Sequence, residues 1–184
     1  MLSKAGHTTV VDAEKLLNTR VSEYALLETG NFEASVQSMF NEMVLRNNTY
    51  KEAGMNVASL DNFDEKTYVI VGLKHFYELL SNDGKEKFRL LIEKAESIYK
   101  VHFMLVETVS QFNNFNYESW YKKQITGSDG LFIGDGVAEQ YMLKVSKVTS
   151  ELYQEVGSEY GYLFIRNRST LIKLIASKDD EGGM

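Results

Sequence analysis

Residues 67–72 read Thr-Tyr-Val-Ile-Val-Gly, an apolar and β-branched run with no polar alternation. A strand with one wet face alternates, so this run predicts a strand covered on both faces, as in a parallel sheet. A second such run, Val-His-Phe-Met-Leu-Val, occupies 101–106, and between the two Phe88, Leu91, Ile92, Ala95 and Tyr99 recur at helical spacing after a break at Asn82-Asp83-Gly84. Parallel strands cannot be joined by a tight turn, so the order strand, helix, strand predicts a βαβ unit with a right-handed crossover. Val71 and Leu105, each inside a continuous apolar strand, are expected in the core.

The flanking segments extend the same pattern. Residues 8–12 predict a short strand ending on Asp12, with a helical turn over 13–17 and another strand over 24–27. Phe32, Val36, Met39, Phe40, Met43 and Val44 fall on one side of a 3.6-residue helix, opened by Asn31 as cap and closed near Asn47-Asn48 and Gly54. Beyond Glu107 the texture changes to the aromatic and amide-rich stretch 111–121. Short strands are expected at 131–133 and 141–145, a helix opened by Thr149, and a terminal hairpin from 160–165 and 170–175 around Asn167-Arg168-Ser169. With no internal repeat or linker, the reading is one three-layer α/β domain over 1–177, with a mainly parallel sheet, a C-terminal β-hairpin and a polar tail at 178–184.

Composition removes several classes of chemistry. The 184 residues include no Cys, which excludes disulfides, thiolate zinc sites and thiol nucleophiles. A formal charge of −6 provides no global field to gather nucleic acid or an anionic membrane. The first ten residues lack the pattern of a secretory signal, and no stretch approaches the ~20 apolar residues of a membrane span. A phosphate-binding loop needs several glycines followed by Lys and Ser or Thr; neither Gly84-Lys85-Glu86 nor Gly6-His7-Thr8-Thr9 meets that need. The central strand Val69-Ile70-Val71 ends on Gly72, which can neither orient a metal-bound water nor act as a base. His7, His75 and His102 lack metal-ligand spacing, and His102 is expected as a buried strand imidazole. No catalytic residue, metal or cofactor is therefore assigned. Gly134-Asp135-Gly136 reads either as a tight turn or as a nest of amides for an anion. Phe112, Phe115, Tyr117, Trp120 and Tyr121 read either as a partner-binding surface or as a loop packed by its own rings. Arg166 and Arg168 read as solvated turn charges or as cations reaching a neighbour's phosphate.

Three stretches carry a family likeness: the strand pair 66–72 and 101–107; the run Gly130-Leu-Phe-Ile-Gly-Asp-Gly-Val-Ala-Glu-Gln-Tyr; and Glu159-Tyr-Gly-Tyr-Leu-Phe through Thr170-Leu-Ile-Lys-Leu. Together, over most of 8–176, they resemble the C-terminal part of EssC, the membrane-anchored FtsK/SpoIIIE-type ATPase of the type VII secretion system. The resemblance implies a P-loop-NTPase-like fold, here lacking the P-loop segment, which would precede Thr8. It makes Val69, Ile70, Val71 and Gly72 a degenerate Walker B strand, since active modules of that family carry acids where Gly72 stands. It further implies a non-hydrolysing domain on the cytoplasmic face of the cell membrane, engaged with secreted substrate proteins and with neighbouring ATPase domains of the same parent chain, and contacting neither nucleic acid nor the membrane directly. The alternative is a regulatory module that binds ATP without turnover once joined to an upstream P-loop.

Overall fold

The computed structural model describes residues 7–17, 25–95 and 97–174. The expected tail at 178–184, Tyr24 and Ile175 lie outside them. The chain divides into two compact units, residues 1–120 and 121–184.

The first unit is built on a parallel sheet of four strands in the order β2-β1-β3-β4, with β1 His7–Asp12, β2 Ala25–Glu28, β3 Lys66–Val71 and β4 Val101–Val106. Thr9 pairs with Leu26 on one side and Tyr68 on the other, and Ile70 in turn pairs with Leu105. β3 thus has a neighbour on each side, and Tyr68, Ile70 and Val71 are buried, as the unbroken apolar run predicts. β4 does not behave as expected. It is an edge strand whose burial alternates: Val101 is buried, Phe103 and Leu105 are half-buried, and His102, Met104 and Val106 are exposed. Leu105 is therefore not a full core residue, and His102 is not a buried imidazole. The sequence run is the same in both strands; the difference comes from position, because one face of an edge strand lies open here.

Helix α1 spans Phe32–Glu52, and its first turn is capped by Asn31, whose side chain accepts from the Ala34 amide at 3.1 Å. It runs on past Asn47-Asn48, and the left-handed Gly54 marks its exit. Its buried stripe is Phe32, Ser35, Val36, Met39, Met43 and Arg46, while Phe40 is half-buried and Val44 exposed. Gly72, at φ 72°, turns β3 into the short helix α2, Leu73–Leu79, which the sequence pattern did not announce. Helix α3 spans Asn82–Lys94, so the expected break at Asn82-Asp83-Gly84 is in fact its first turn, capped by Ser81. Phe88, Leu91 and Ile92 form its buried face, whereas Ala95 and Tyr99 lie beyond its end. A Cβ at Gly84 would stand 2.5 Å from a Glu33 carboxylate oxygen, and Glu33 also accepts from the Ser81 amide. Glycine at 84 thus lets the start of α1 meet the start of α3. Residues 13–17 form no helical turn; the Asp12 carboxylate folds them back by accepting from the amides of Leu16 and Leu17.

The second unit carries an antiparallel sheet in the order β5-β6-β7, comprising Gly130–Ile133, Tyr160–Ile165 and Arg168–Lys173. The expected hairpin is present, its turn on Arg166 and Asn167 rather than 167–169 and its second strand starting at Arg168; both turn residues take positive φ as a two-residue primed turn requires. It belongs to a separate sheet with β5. Val137, Leu152, Tyr162 and Phe164 form the core, with Phe132, Leu143, Val145 and Val156 packed around them. Residues 141–145 form no strand, and Thr149 opens only a 3-10 turn, Ser150–Tyr153. Residues 140–143 instead fold around Gln140: its amide nitrogen donates to the carbonyls of Val137 and Leu143, and its oxygen accepts from the amides of Met142 and Leu143. With its local hydrogen bonds made to a side chain, this segment needs no ladder partner.

Candidate functional site at the carboxyl edge of the parallel sheet

Loops beyond the carboxyl ends of parallel strands are where α/β folds meet ligands. Here that edge is formed by Asp12 at the end of β1, Glu14 after it, Gly72 after β3, and Glu107 after β4. β3 contributes no acid. The strand end is Gly72, followed by the fully buried Leu73. A Cβ at position 72 would lie 2.6 Å from Glu14 Cγ and 3.4 Å from its Oε1, so a carboxylate from the exit of β1 occupies the space next to β3. The other acids are engaged with backbone. Asp12, fully buried, accepts from Leu16 and Leu17 at 3.1 and 2.8 Å. Glu107 accepts from the Lys74 amide at 2.9 Å and from the Thr108 amide at 2.7 Å, and Lys74 pairs with Glu78 at 2.8 Å. These carboxylates hold the chain after β1 and the start of α2 in place. Among the described residues no group of three or more His, Asp and Glu is placed to hold a metal ion, and His7, His75 and His102 are each exposed, on β1, α2 and β4 respectively.

The aromatic stretch divides. Phe115 and Trp120 are buried in a ring cluster with Tyr77 and Phe88, their centroids 5.7–5.9 Å apart; Phe76 extends it from Phe88 at 5.3 Å towards Phe32 at 5.6 Å. Such edge-on contacts suit ring quadrupoles as well as burial. Burial, followed by the nearby Glu118 charge, pushes the Tyr77 phenol above its usual range. Tyr121 is buried too, and its phenol is pushed up to about 12 by desolvation. Phe112 is half-buried. Tyr117 stands apart at 92 % exposure. Of the five rings read as a possible docking surface, three are interior and Tyr117 alone is fully presented to solvent.

In the second unit, Gly134 and Gly136 take positive φ, and Asp135 accepts from the amides of Val156 and Gly157 at 2.5 and 3.1 Å. The segment is a turn whose carboxylate secures a neighbouring loop. Gln140 closes a second loop, and the adjacent Tyr141 is 93 % exposed.

Sequence reasoning missed Arg46. It is 1 % exposed and makes four hydrogen bonds: Nε donates to Glu42 at 2.8 Å, Nη2 to the Asp64 carbonyl at 2.9 Å, and Nη1 to the carbonyls of Tyr99 and Lys100 at 2.6 and 3.2 Å, while Nη2 also lies 2.7 Å from the Glu42 carboxylate as an ion pair. Its guanidinium also covers the Phe63 ring at 5.0 Å. Lys66 joins Glu42 at 2.9 Å. Burial works to raise the Glu42 carboxyl, but hydrogen bonds from Lys66 and Arg46 outweigh it and hold it below the usual carboxylate range. The signal was present as a charged residue three places after Met43 on an apolar stripe.

No protein-family model matches the chain, and no curated protein matches it. Several solved structures share its fold. The cytoplasmic domain of EssC aligns with a TM-score of 0.68 at 12 % identity over 91 % of this chain and 33 % of that one. EssC (ATPases 2 and 3) from Geobacillus thermodenitrificans gives 0.67 at 13 % identity over 91 % and 31 %. EccC (ATPases 2 and 3) from Thermomonospora curvata, in complex with a signal sequence peptide, gives 0.61 at 15 % identity over 95 % and 31 %. The chain spans about a third of the length of these structures. Nearly all of it therefore has the α/β fold found in the cytoplasmic ATPase regions of EssC and EccC.

Proposed function

We propose that the chain is a non-hydrolysing ATPase-type domain of a type VII secretion ATPase, serving substrate recognition and assembly or regulation of the secretion machine. The observation that carries this is the end of β3, where Gly72 and the buried Leu73 stand at the position that holds acids in active modules of the family it resembles. The fold shared with EssC and EccC, and the sequence likeness of the 130–141 and 159–174 stretches, support the same reading. The EccC structure holds a signal sequence peptide, which agrees with a role for such domains in engaging secreted proteins. The proposed partners are secreted substrates and neighbouring ATPase domains of the same parent chain, at the cytoplasmic face of the membrane. Among the described residues no helix is long and apolar enough to cross a membrane. The exposed Tyr117 is the ring of the aromatic stretch proposed to touch a partner.

Titration calorimetry with magnesium-ATP, on this chain and on the chain extended by its upstream sequence, tests the catalytic half of the reading. No heat is expected from this chain and no turnover from either. A low-micromolar Kd, about −8 kcal/mol, for the chain alone, or turnover by the longer one, overturns it. Binding without turnover by the extended chain alone identifies the regulatory alternative.

A further inference from the structure

The hairpin tip of the second unit gathers cations from two separate segments. Arg166 lies in its turn and Arg168 follows it, and Lys144 and Lys147 belong to the segment lying beside it. Three backbone contacts fix that arrangement: the Asn167 amide donates to the Ser128 carbonyl at 2.8 Å, the Ser146 amide to the Asn167 carbonyl at 3.4 Å, and the Lys144 amide to the Gly127 carbonyl at 2.7 Å. Gly127 suits this approach because a Cβ there would stand 2.1 Å from the Met142 carbonyl oxygen. All four cations are exposed, and among the described residues none lies within ion-pair distance of a carboxylate. This contrasts with α3, where Lys87 pairs with Asp83 and Arg89 with Glu86 and Glu93.

One acid is close by. Asp129 accepts from the Arg166 amide at 3.0 Å and from the Ser128 hydroxyl at 2.6 Å. Those hydrogen bonds, the Ser128 one first, hold its carboxyl below the usual range, so it stays ionised and offsets one of the four charges. A local surplus of cations remains on a chain whose formal charge is −6. Beside them, Val148 and Ile165 are 53 % and 56 % exposed. A patch of this kind selects by charge complementarity and is blind to nucleotide chemistry, for it has neither a ring of glycine amides nor an exposed aromatic among the residues that form it.

We propose that this hairpin tip is a docking surface for an acidic peptide segment of a partner protein, with carboxylates facing Lys144, Lys147, Arg166 and Arg168 and an apolar residue against Ile165 and Val148. The proposal rests on the surface alone and does not depend on the secretion reading. Fluorescence anisotropy of a labelled hexaglutamate peptide, titrated with the full chain at low and at moderate salt, tests it. Binding is expected at low salt, weakening as salt screens it. Arg166→Glu with Arg168→Glu should reduce affinity at least about tenfold, with an unchanged unfolding midpoint, whereas Lys51→Glu with Lys94→Glu, the same change in net charge elsewhere, should have far less effect. Lys144→Gln with Lys147→Gln provides a second variant that leaves the turn itself untouched, and it should weaken binding as well. Failure of hexaglutamate to bind at low salt, equal losses in the hairpin and control variants, or tighter binding of a hexanucleotide than of hexaglutamate overturns the proposal. None of these results bears on whether the chain hydrolyses ATP.

Discussion

The two ends of the parallel sheet are built in opposite ways. At the amino end, one buried cation, Arg46, satisfies acceptors on α1 and on the segments entering β3 and β4, so helix and strands are joined by a single charged group. At the carboxyl end, the charged groups are acids, and they are distributed one to a turn: Asp12 holds 13–17, Glu107 holds the start of α2, and Glu14 lies over Gly72. The amino end concentrates its electrostatics into one node; the carboxyl end disperses them into local caps. At this carboxyl edge Asp12 and Glu107 each accept from backbone amides, and Glu14 fills the space beside Gly72. The contrast predicts that damage at the amino end is global and damage at the carboxyl end is local.

Arg46→Ala should show the largest effect. It strips the half-buried Glu42 of a partner and leaves three carbonyls without the Arg46 donor, a change of the kind that costs about 3–5 kcal/mol. Chemical denaturation of the variant measures it. Arg46→Lys should recover little, because one ammonium cannot reproduce a five-donor fork. A loss under about 1 kcal/mol for the alanine variant would mean that the node is incidental and would remove the contrast.

Gly72→Ala comes next. Its left-handed backbone costs a residue with a Cβ roughly 1–2 kcal/mol, and the Glu14 side chain has to swing away from the new methyl. The same change in a Glu14→Ala background should keep the backbone cost and lose the steric part. Comparing the two unfolding midpoints separates strain from contact. If both variants match their parents, β3 tolerates a side chain at its end, and an acid could be installed there without disturbing the fold.

The smallest effect is the pH dependence of the amino end. Because the folded Glu42 carboxyl titrates below its ordinary value of 4.5, its contribution to stability is fully present above that value and is lost as pH falls through the lower, folded one. Stability of the native chain should therefore decline more steeply below about pH 4.5 than that of Glu42→Gln. Unfolding midpoints measured between neutral pH and pH 3 check this, and parallel curves would show that Glu42 is not the group responsible.

Local physics was enough to locate much of the framework in the sequence. The unbroken β-branched run gave β3 its buried place, and the asparagine cap and apolar spacing gave α1 its start and its core face, because both depend on side-chain direction within a single element. The primed hairpin was legible for the same reason, though its turn was read one residue late and one residue too long. What sequence could not decide was position in the assembled sheet. β3 and β4 have equivalent runs, yet the strand order places one inside and the other at the edge, where His102, Met104 and Val106 stay open to solvent. Likewise the rings at 112–121 have one composition, and only packing against Tyr77 and Phe88 sends Phe115 and Trp120 inward while Tyr117 points out. Arg46 shows the same limit most clearly: its burial follows from carbonyls supplied 18 to 54 residues away, and a helical pattern carries no record of acceptors brought to it by the rest of the fold.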